Sequence, residues 1–337
     1  MKHRGQVPFL FLFLLIISQP YIGLFRLAVM NVEETAASIK DMTIRGAGKI
    51  ARAGAAAMSD FAAGYTGNDV GSFLSDMEKA KRTLLDSRPT AVSLWNGVHA
   101  TVKGVEDCKD VGEMTSLIQE NARTFIDNSN NAVKFIGEIG AKRIKDGDVI
   151  MTTCNSSVAL GVIKTAFRQG KDIKVYATES RPWRQGILTV TELANEGIDT
   201  TLIIDSAVRS VMKKVDEVFV GADTITSHGA LINKIGTSQL ALAAHEARVQ
   251  FYVCSETYKF SPMTLFGDRV TIEERDISEI VREGEIPASV KVFNPVFDST
   301  PARYIDAIIT ELGMMSPGSV YDVMVRQLGD KIFQKVI

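Results

Sequence analysis

Asp148-Val149-Ile150-Met151-Thr152-Thr153-Cys154-Asn155-Ser156 and, further along, Glu217-Val218-Phe219-Val220-Gly221-Ala222-Asp223 decide how this chain is read. Each segment is a short apolar, β-branched run that stops abruptly at small and polar residues. Runs of that kind are the buried strands of a parallel sheet. A thiol and a carboxylate just past the carboxyl ends of two such strands point into the crevice where open α/β sheets bind ligands. Cys154 and Asp223 are therefore the candidate base and acid for chemistry on a small polar molecule. Asn233-Lys234-Ile235-Gly236-Thr237 follows, an amide, a cation and a glycine-hinged helix start suited to a phosphate.

Working outward, short β-rich runs (Val149-Met151, Ile173-Ala177, Thr201-Ile204, Val218-Val220, Phe251-Cys254, Ile305-Ile309) alternate with helix-length amphipathic segments. That alternation marks βαβ units and a parallel sheet. Upstream the period is helical. Lys49 to Ala63 is alanine-rich with strong helix propensity. Between Val111 and Ile144 the apolar residues recur mostly at three-to-four spacing, on one helix face. The expected fold is α/β: a helical N-terminal domain over residues 30–145 and a Rossmann-like C-terminal domain over 146–337 with a mostly parallel sheet. Arg282 to Ala288 reads as an exposed loop.

Composition narrows the function classes. At 337 residues the chain has room for two cores. Hydrophobic content of 45% and charged content of 23% are ordinary for a globular protein. A formal charge of -2 provides no global basic field, so nucleic acid is not an expected ligand and any phosphate must be held locally. The three cysteines, Cys108, Cys154 and Cys254, are widely spaced and include no CxxC pair. They suggest a reducing compartment and argue against a disulfide framework or a zinc site. His99, His228 and His245 lack ligand spacing, so no metal and no cofactor is expected. The location expected from this composition is cytoplasmic.

Residues 1–29 conflict with that location. Met1 to Arg4 is basic and Pro8 to Ile17 is a short apolar block, like the first parts of a signal peptide. The block is too short for a secure membrane span, and Gln19-Pro20-Tyr21-Ile22 is a poor cleavage site. Three readings stay open: a reading frame extended upstream of a true start at Met30, a signal or anchor, or a core helix.

Each site feature also has a plainer reading. A lone cysteine after a strand is usually a small buried hydrophobe; the run Asn155, Ser156 and Ser157 argues instead for a ligand-facing turn at a helix start. Asp223 reads equally as a helix N-cap. Arg45-Gly46-Ala47-Gly48 is either a plain loop or a cation beside two glycines that let backbone amides approach an anion. Arg88-Pro89-Thr90 is either a surface turn or an arginine before a proline-started helix that receives an anion. Glu179-Ser180-Arg181-Pro182 lines the crevice or forms a structural ion pair.

These segments, with Asp205-Ser206-Ala207, occur in the order found in one superfamily, and the chain resembles it from about Val32 onward. The superfamily joins ribose 1,5-bisphosphate isomerases, methylthioribose 1-phosphate isomerases and the alpha, beta and delta regulatory subunits of translation initiation factor 2B. The Arg-Gly-Ala-Gly form and Thr257-Tyr258-Lys259-Phe260 look most like the archaeal ribose 1,5-bisphosphate isomerases. The resemblance implies that Cys154 and Asp223 are the catalytic pair, which the regulatory subunits typically lack. It implies phosphate contacts from Arg45, Gly46, Ala47, Gly48, Arg88, Ser156, Ser157, Asn233, Lys234 and Lys259. It further implies a homo-oligomer, dimer or hexamer, with AMP as a candidate activator, acting in AMP and nucleoside breakdown. In place of the histidines flanking the cysteine and the lysine shortly after it in the archaeal isomerases, this chain has Thr153, Asn155 and Ser157, and Cys154-Asn155 looks more like the methylthioribose 1-phosphate enzymes.

A sugar phosphorylated at its anomeric oxygen cannot open by itself, so assisted ring opening is expected. Asp223, protonated in a desolvated crevice, would donate to the ring oxygen, and Cys154 as thiolate would take the C2 proton. An ordinary thiol has a pKa of about 8.5, so cations or a helix amino terminus are expected to lower it. Three functions remain: ribose 1,5-bisphosphate isomerase, methylthioribose 1-phosphate isomerase, and a non-catalytic regulatory subunit.

Overall fold

The computed structural model describes residues 31–328. The apolar segment over residues 1–29 lies outside the described residues. No described helix is long and apolar enough to cross a membrane.

The chain begins with five helices: α1 Val32–Lys40, α2 Ala47–Gly64, α3 Val70–Ser87, α4 Val92–Thr101 and α5 Val111–Ala141. Good helix starts are written into the sequence. Asn31, Asp69 and Asp110 each cap a helix by accepting a backbone amide hydrogen bond. Ile39, Met58, Phe73, Leu84, Leu94 and Ile118 meet in one apolar core. The long α5 belongs to two cores. Its first half, through Met114 and Ile118, lines the helical core, and its second half, through Ala132 and Ile136, covers the sheet. The expected boundary near residue 145 therefore falls just after a helix that both halves share.

Helices and strands then alternate: β1 Val149–Thr152, α6 Ser157–Arg168, β2 Lys174–Thr178, α7 Gln185–Asn195, β3 Asp199–Ile203, a short α8 Val208–Val211, and β4 Glu217–Val220. After β4 come β5 Thr224–Ile225, β6 Leu231–Lys234, α9 Thr237–Ala247, β7 Gln250–Cys254, β8 Phe297–Thr300, β9 Ala307–Thr310, β10 Gly313–Met315 and α10 Val320–Leu328. The main sheet has seven strands in the order β10-β9-β7-β4-β1-β2-β3. All its pairings are parallel except β10 with β9. Both faces of the central strands are buried, as a parallel sheet requires, while the edge strand β3 is largely exposed. Ile150, Phe219, Tyr252 and Ile309 pack toward α5 and α6. Their neighbours Met151, Val218, Phe251 and Ile308 pack on the opposite face with residues of α9 and α10.

The strand order reverses between β1 and β4, the two strands flagged by the sequence. Chain progression runs outward through β2 and β3 on one side and through β7 and β9 on the other. Such a switch point leaves a crevice above the carboxyl ends of its two strands.

Two features depart from the expected pattern. The edge strand β10 runs antiparallel, and a second sheet, β5-β6-β8, is entirely antiparallel. Neither is visible as βαβ alternation, because each is made by short hairpin or long-range pairing. The segment Arg282 to Ala288 is exposed, as expected, apart from the half-buried Ile286.

Candidate active site

Cys154 follows β1 by two residues and sits in the left-handed region, at φ 61°. That conformation is costly for a residue with a side chain and must be held by its surroundings. Both ends of the residue are held. Its amide donates to Ser180 Oγ at 2.7 Å, and its carbonyl accepts from Thr189 Oγ1 of α7 at 2.6 Å. Ser180, also left-handed at φ 60°, is fixed in turn. The amides of Ser180 and Arg181 donate to the two oxygens of Asp205, each at 2.8 Å. Thr153, Thr178 and Ser180 close a buried hydroxyl cluster below, with Thr153 Oγ1 and Thr178 Oγ1 2.7 Å apart. Glu179 forms an ion pair with Arg184 at 3.5 Å, so that segment supplies both a support for Cys154 and a structural pair. The sequence supplied these motifs but not their role, since hydroxyl pairing between β1 and β2 depends on register.

Asp223 stands across the switch point, three residues past β4, with its amide bonded to the Ile232 carbonyl at 3.0 Å. Burial pushes its carboxyl pKa upward, opposed in order by Lys259, Lys234 and Arg88. Lys234, at the end of β6, acts on both candidate groups. Its ammonium favours the ionised forms of Cys154 and Asp223, and its Nζ lies 5.5 Å from the centre of the Phe297 ring. Lys234 is buried to 9% exposure with no salt bridge among the described residues, which is costly unless an anion joins it. Arg88, at the end of α3, and Lys259, after β7, complete a cationic wall around Asp223.

The Cys154 thiol is not lowered, contrary to expectation. Burial pushes it up to about 11, Lys234 and the Asn155 amide act against that, and Asp223 adds to it. Cations are present, but desolvation outweighs them in the ligand-free protein.

The phosphate-contact candidates divide. Gly46 is the N-cap of α2, at φ 90°, and among the described residues no side chain caps that helix, so the first-turn amides of Ala47 and Gly48 are available to an anion. Arg45 beside them is exposed. Ser156 caps α6 by accepting from the Ala159 amide, and Ser157 is the exposed first residue of that helix. Arg88 precedes a turn rather than a proline-started helix. Pro89 and Thr90 lie outside α4, whose N-cap is Ala91, because the Ala91 amide closes a turn onto the Arg88 carbonyl. Arg88 is also paired with Glu273 at 3.2 Å. Lys259 is paired with the buried Glu256 at 2.7 Å.

Asn233-Lys234-Ile235-Gly236-Thr237 departs most from expectation. Gly236 does hinge the start of α9, at φ 98°. The amides of Gly236 and Ser238 are already taken by the Asp298 carboxylate of β8. Asn233 donates to Thr237 Oγ1 at 3.0 Å. The α9 amino terminus therefore carries its own protein anion, and Lys234 is the member of the motif aimed at Cys154 and Asp223. A groove of about 330 Å³ opens beside it, lined by Arg181, Asp205, Gly236, Phe293 and Asp298 among others. Among the described residues, no group of three or more His, Cys, Asp or Glu could hold one metal ion.

A doubly wound α/β sheet with a thiol and an acid facing each other across its switch point, under a helical domain, defines the class. The chain belongs to the Initiation factor 2 subunit family, whose model matches residues 43–317. It is 52% identical over 299 residues to the ribose 1,5-bisphosphate isomerase of Archaeoglobus fulgidus, covering 89% of this chain and 94% of that one. Among solved structures, it resembles the 5-methylthioribose 1-phosphate isomerase of Pyrococcus horikoshii, with TM-score 0.73 and 31% identity over 89% of this chain and 88% of that one. It also resembles the A. fulgidus translation initiation factor eIF-2B subunit delta, with TM-score 0.68 and 38% identity over 88% and 91%.

Proposed function

We propose that the chain converts α-D-ribose 1,5-bisphosphate to D-ribulose 1,5-bisphosphate. The observation that carries this reading is the pairing of Cys154 with Asp223 in a crevice where Arg88, Lys234 and Lys259 favour the ionised acid and Glu256 opposes them. The 52% identity to an isomerase of that name supports it.

Asp223, its pKa raised, gives its proton to the ring oxygen as the C1–O bond opens. Cys154 as thiolate takes the proton from C2, and the electron pair of that C–H bond becomes the C1=C2 bond of an enol. The thiol then returns a proton to C1 while the C2 hydroxyl gives its own to the Asp223 carboxylate, leaving a ketone at C2. Both side chains end as they began, and no external reductant or oxidant enters. A thiol pKa of about 11 leaves roughly one in 10⁴ ionised at pH 7 before substrate binds. The thiolate must therefore be drawn from a minor ionised population, favoured by Lys234 and the Asn155 amide. The phosphates are assigned to the α2 amino terminus with Arg45, Gly46, Ala47 and Gly48, and to Arg88, Ser156, Ser157, Asn233, Lys234 and Lys259.

Cys154-Asn155 is the feature that favours methylthioribose 1-phosphate as substrate, and the cationic wall favours a second phosphate over a thioether. A homo-oligomer, activation by AMP and a cytoplasmic location belong to the same proposal. The deciding experiment offers both sugar phosphates to the protein beginning at Met30. Turnover of the bisphosphate alone supports the reading; turnover of only the methylthio sugar replaces it, and no turnover of either favours a regulatory subunit.

A further inference from the structure

Tyr258 lies in a single 3-10 turn, Thr257–Lys259, wedged between the helical half and the sheet. The Asn96 side chain of α4 donates to the carbonyls of Tyr258 and Phe260, at 2.7 and 2.9 Å. The Tyr258 ring packs on Phe125 of α5, centroids 5.2 Å apart. Its hydroxyl donates to Glu256 Oε1 at 2.9 Å and lies 3.0 Å from Ser129 Oγ, which in turn accepts from Arg52 Nη1 at 3.0 Å. The other Glu256 oxygen holds Lys259 Nζ at 2.7 Å. Burial works against ionisation of Glu256, but Lys259 and Tyr258 keep its carboxyl below the usual range. Lys259 is also the first charge that opposes burial at Asp223. The first turn of α2 rests on this chain: a Cβ on Gly48 would come 3.0 Å from Tyr258 Oη and 3.6 Å from Glu256 Oε1.

We infer that Tyr258 is a positioning residue for Asp223: its hydroxyl fixes Glu256, Glu256 holds the Lys259 ammonium beside Asp223, and Ser129 with Arg52 sets this unit against the α2 amino terminus. The inference rests on the isomerase reading for the role of Asp223 as acid. Without the hydroxyl, the buried Glu256 loses a hydrogen bond and draws the Lys259 ammonium toward itself, away from Asp223. The acid and the α2 amides then lose their common reference.

Tyr258→Phe in the full chain tests this. Turnover of ribose 1,5-bisphosphate is expected to fall by roughly tenfold or more. A second readout does not depend on turnover. Asp223 acts electrostatically on the Cys154 thiol, so the pH profile of Cys154 alkylation by iodoacetamide is expected to move by about half a unit or more. Phe125→Leu, which disturbs the ring packing but not the polar chain, leaves that profile in place. An unmoved alkylation profile in Tyr258→Phe, whatever happens to turnover, overturns the inference. Should Tyr258→Phe fail to fold, Glu256→Gln, which removes the carboxylate that Tyr258 and Lys259 share, is read by the same two measurements and decides in the same way. A wild type that turns over neither sugar phosphate defeats the isomerase reading, while the alkylation profiles still decide whether Tyr258 acts on Asp223.

Discussion

Gly221 lies so close to Ser156 that a Cβ built on it would stand 2.2 Å from Ser156 Oγ and 2.5 Å from Ser156 Cβ. The turn after β4 and the turn after β1 thus touch directly, and the missing side chain at Gly221 sets how near Asp223 can approach Cys154. Gly221→Ala is expected to force those turns apart. Overpacking of this kind costs roughly 1–3 kcal/mol, and a small displacement of catalytic groups can cost about 10²-fold in rate. Ser156→Gly in the same chain removes both clashing atoms and should recover much of the lost stability, since Gly in place of a Ser N-cap costs only a few tenths of a kcal/mol. Melting temperature and turnover of the single and double variants check this; equal activity in Gly221→Ala and wild type would refute it.

Cys154→Ser is expected to abolish isomerisation while sugar phosphate binding persists, because a serine hydroxyl cannot be ionised near neutrality. Alkylation of Cys154 in the ligand-free protein should rise with pH well past the ordinary thiol range, toward about 11. Cys254 is fully buried, its thiol also pushed upward by burial, and should stay unmodified. Mass spectrometry of the alkylated peptides against pH measures both. A Cys154 titration below 8 would show that cations outweigh desolvation after all.

Asp223→Asn keeps size and hydrogen bonding but has no carboxyl proton to give. Turnover should fall by roughly 10²–10⁴, the usual worth of a general acid, with the melting temperature nearly unchanged. Near-normal turnover in this variant would remove Asp223 from the mechanism.

Glu217 opens β4 at the end of the strand opposite Asp223, 7% exposed, with one carboxylate oxygen lacking a hydrogen-bond partner among the described residues. Burial, reinforced by Asp148 and opposed by Arg143 and Lys145, pushes its pKa up to about 7. The folded state therefore holds this proton more tightly than the unfolded chain. Its contribution is complete below the ordinary carboxyl pKa and is lost as pH rises from about 4.5 through about 7. Glu217→Gln removes the titration. The melting temperature of that variant minus that of the wild type should climb between pH 5 and pH 8, by an amount equivalent to roughly 1–3 kcal/mol, with turnover unaffected. A flat difference across that range would mean that the carboxyl is ionised in the folded protein at all these pH values.

The sequence by itself determined the parallel strands β1, β2, β3, β4, β7 and β9 and where chemistry could sit on them. Val149 to Thr152 and Glu217 to Val220 are short apolar runs, and the residues that end a parallel strand face the crevice whatever the rest of the fold does. The helical first half was legible too, since period and caps such as Asn31 and Asp110 are local signals. Tertiary structure alone placed β1 beside β4, because strand order is fixed by pairing between distant segments. It alone joined β6 to β8, and so brought Asp298 to the α9 amino terminus where a phosphate was expected. It tied Lys259 to Glu256 and Cys154 to Ser180 through register and loop packing that no spacing encodes. The raised Cys154 thiol belongs with these. A residue type specifies an ordinary pKa, but desolvation is a property of everything packed around it, and here it outweighs the charges that a reading of the sequence could count.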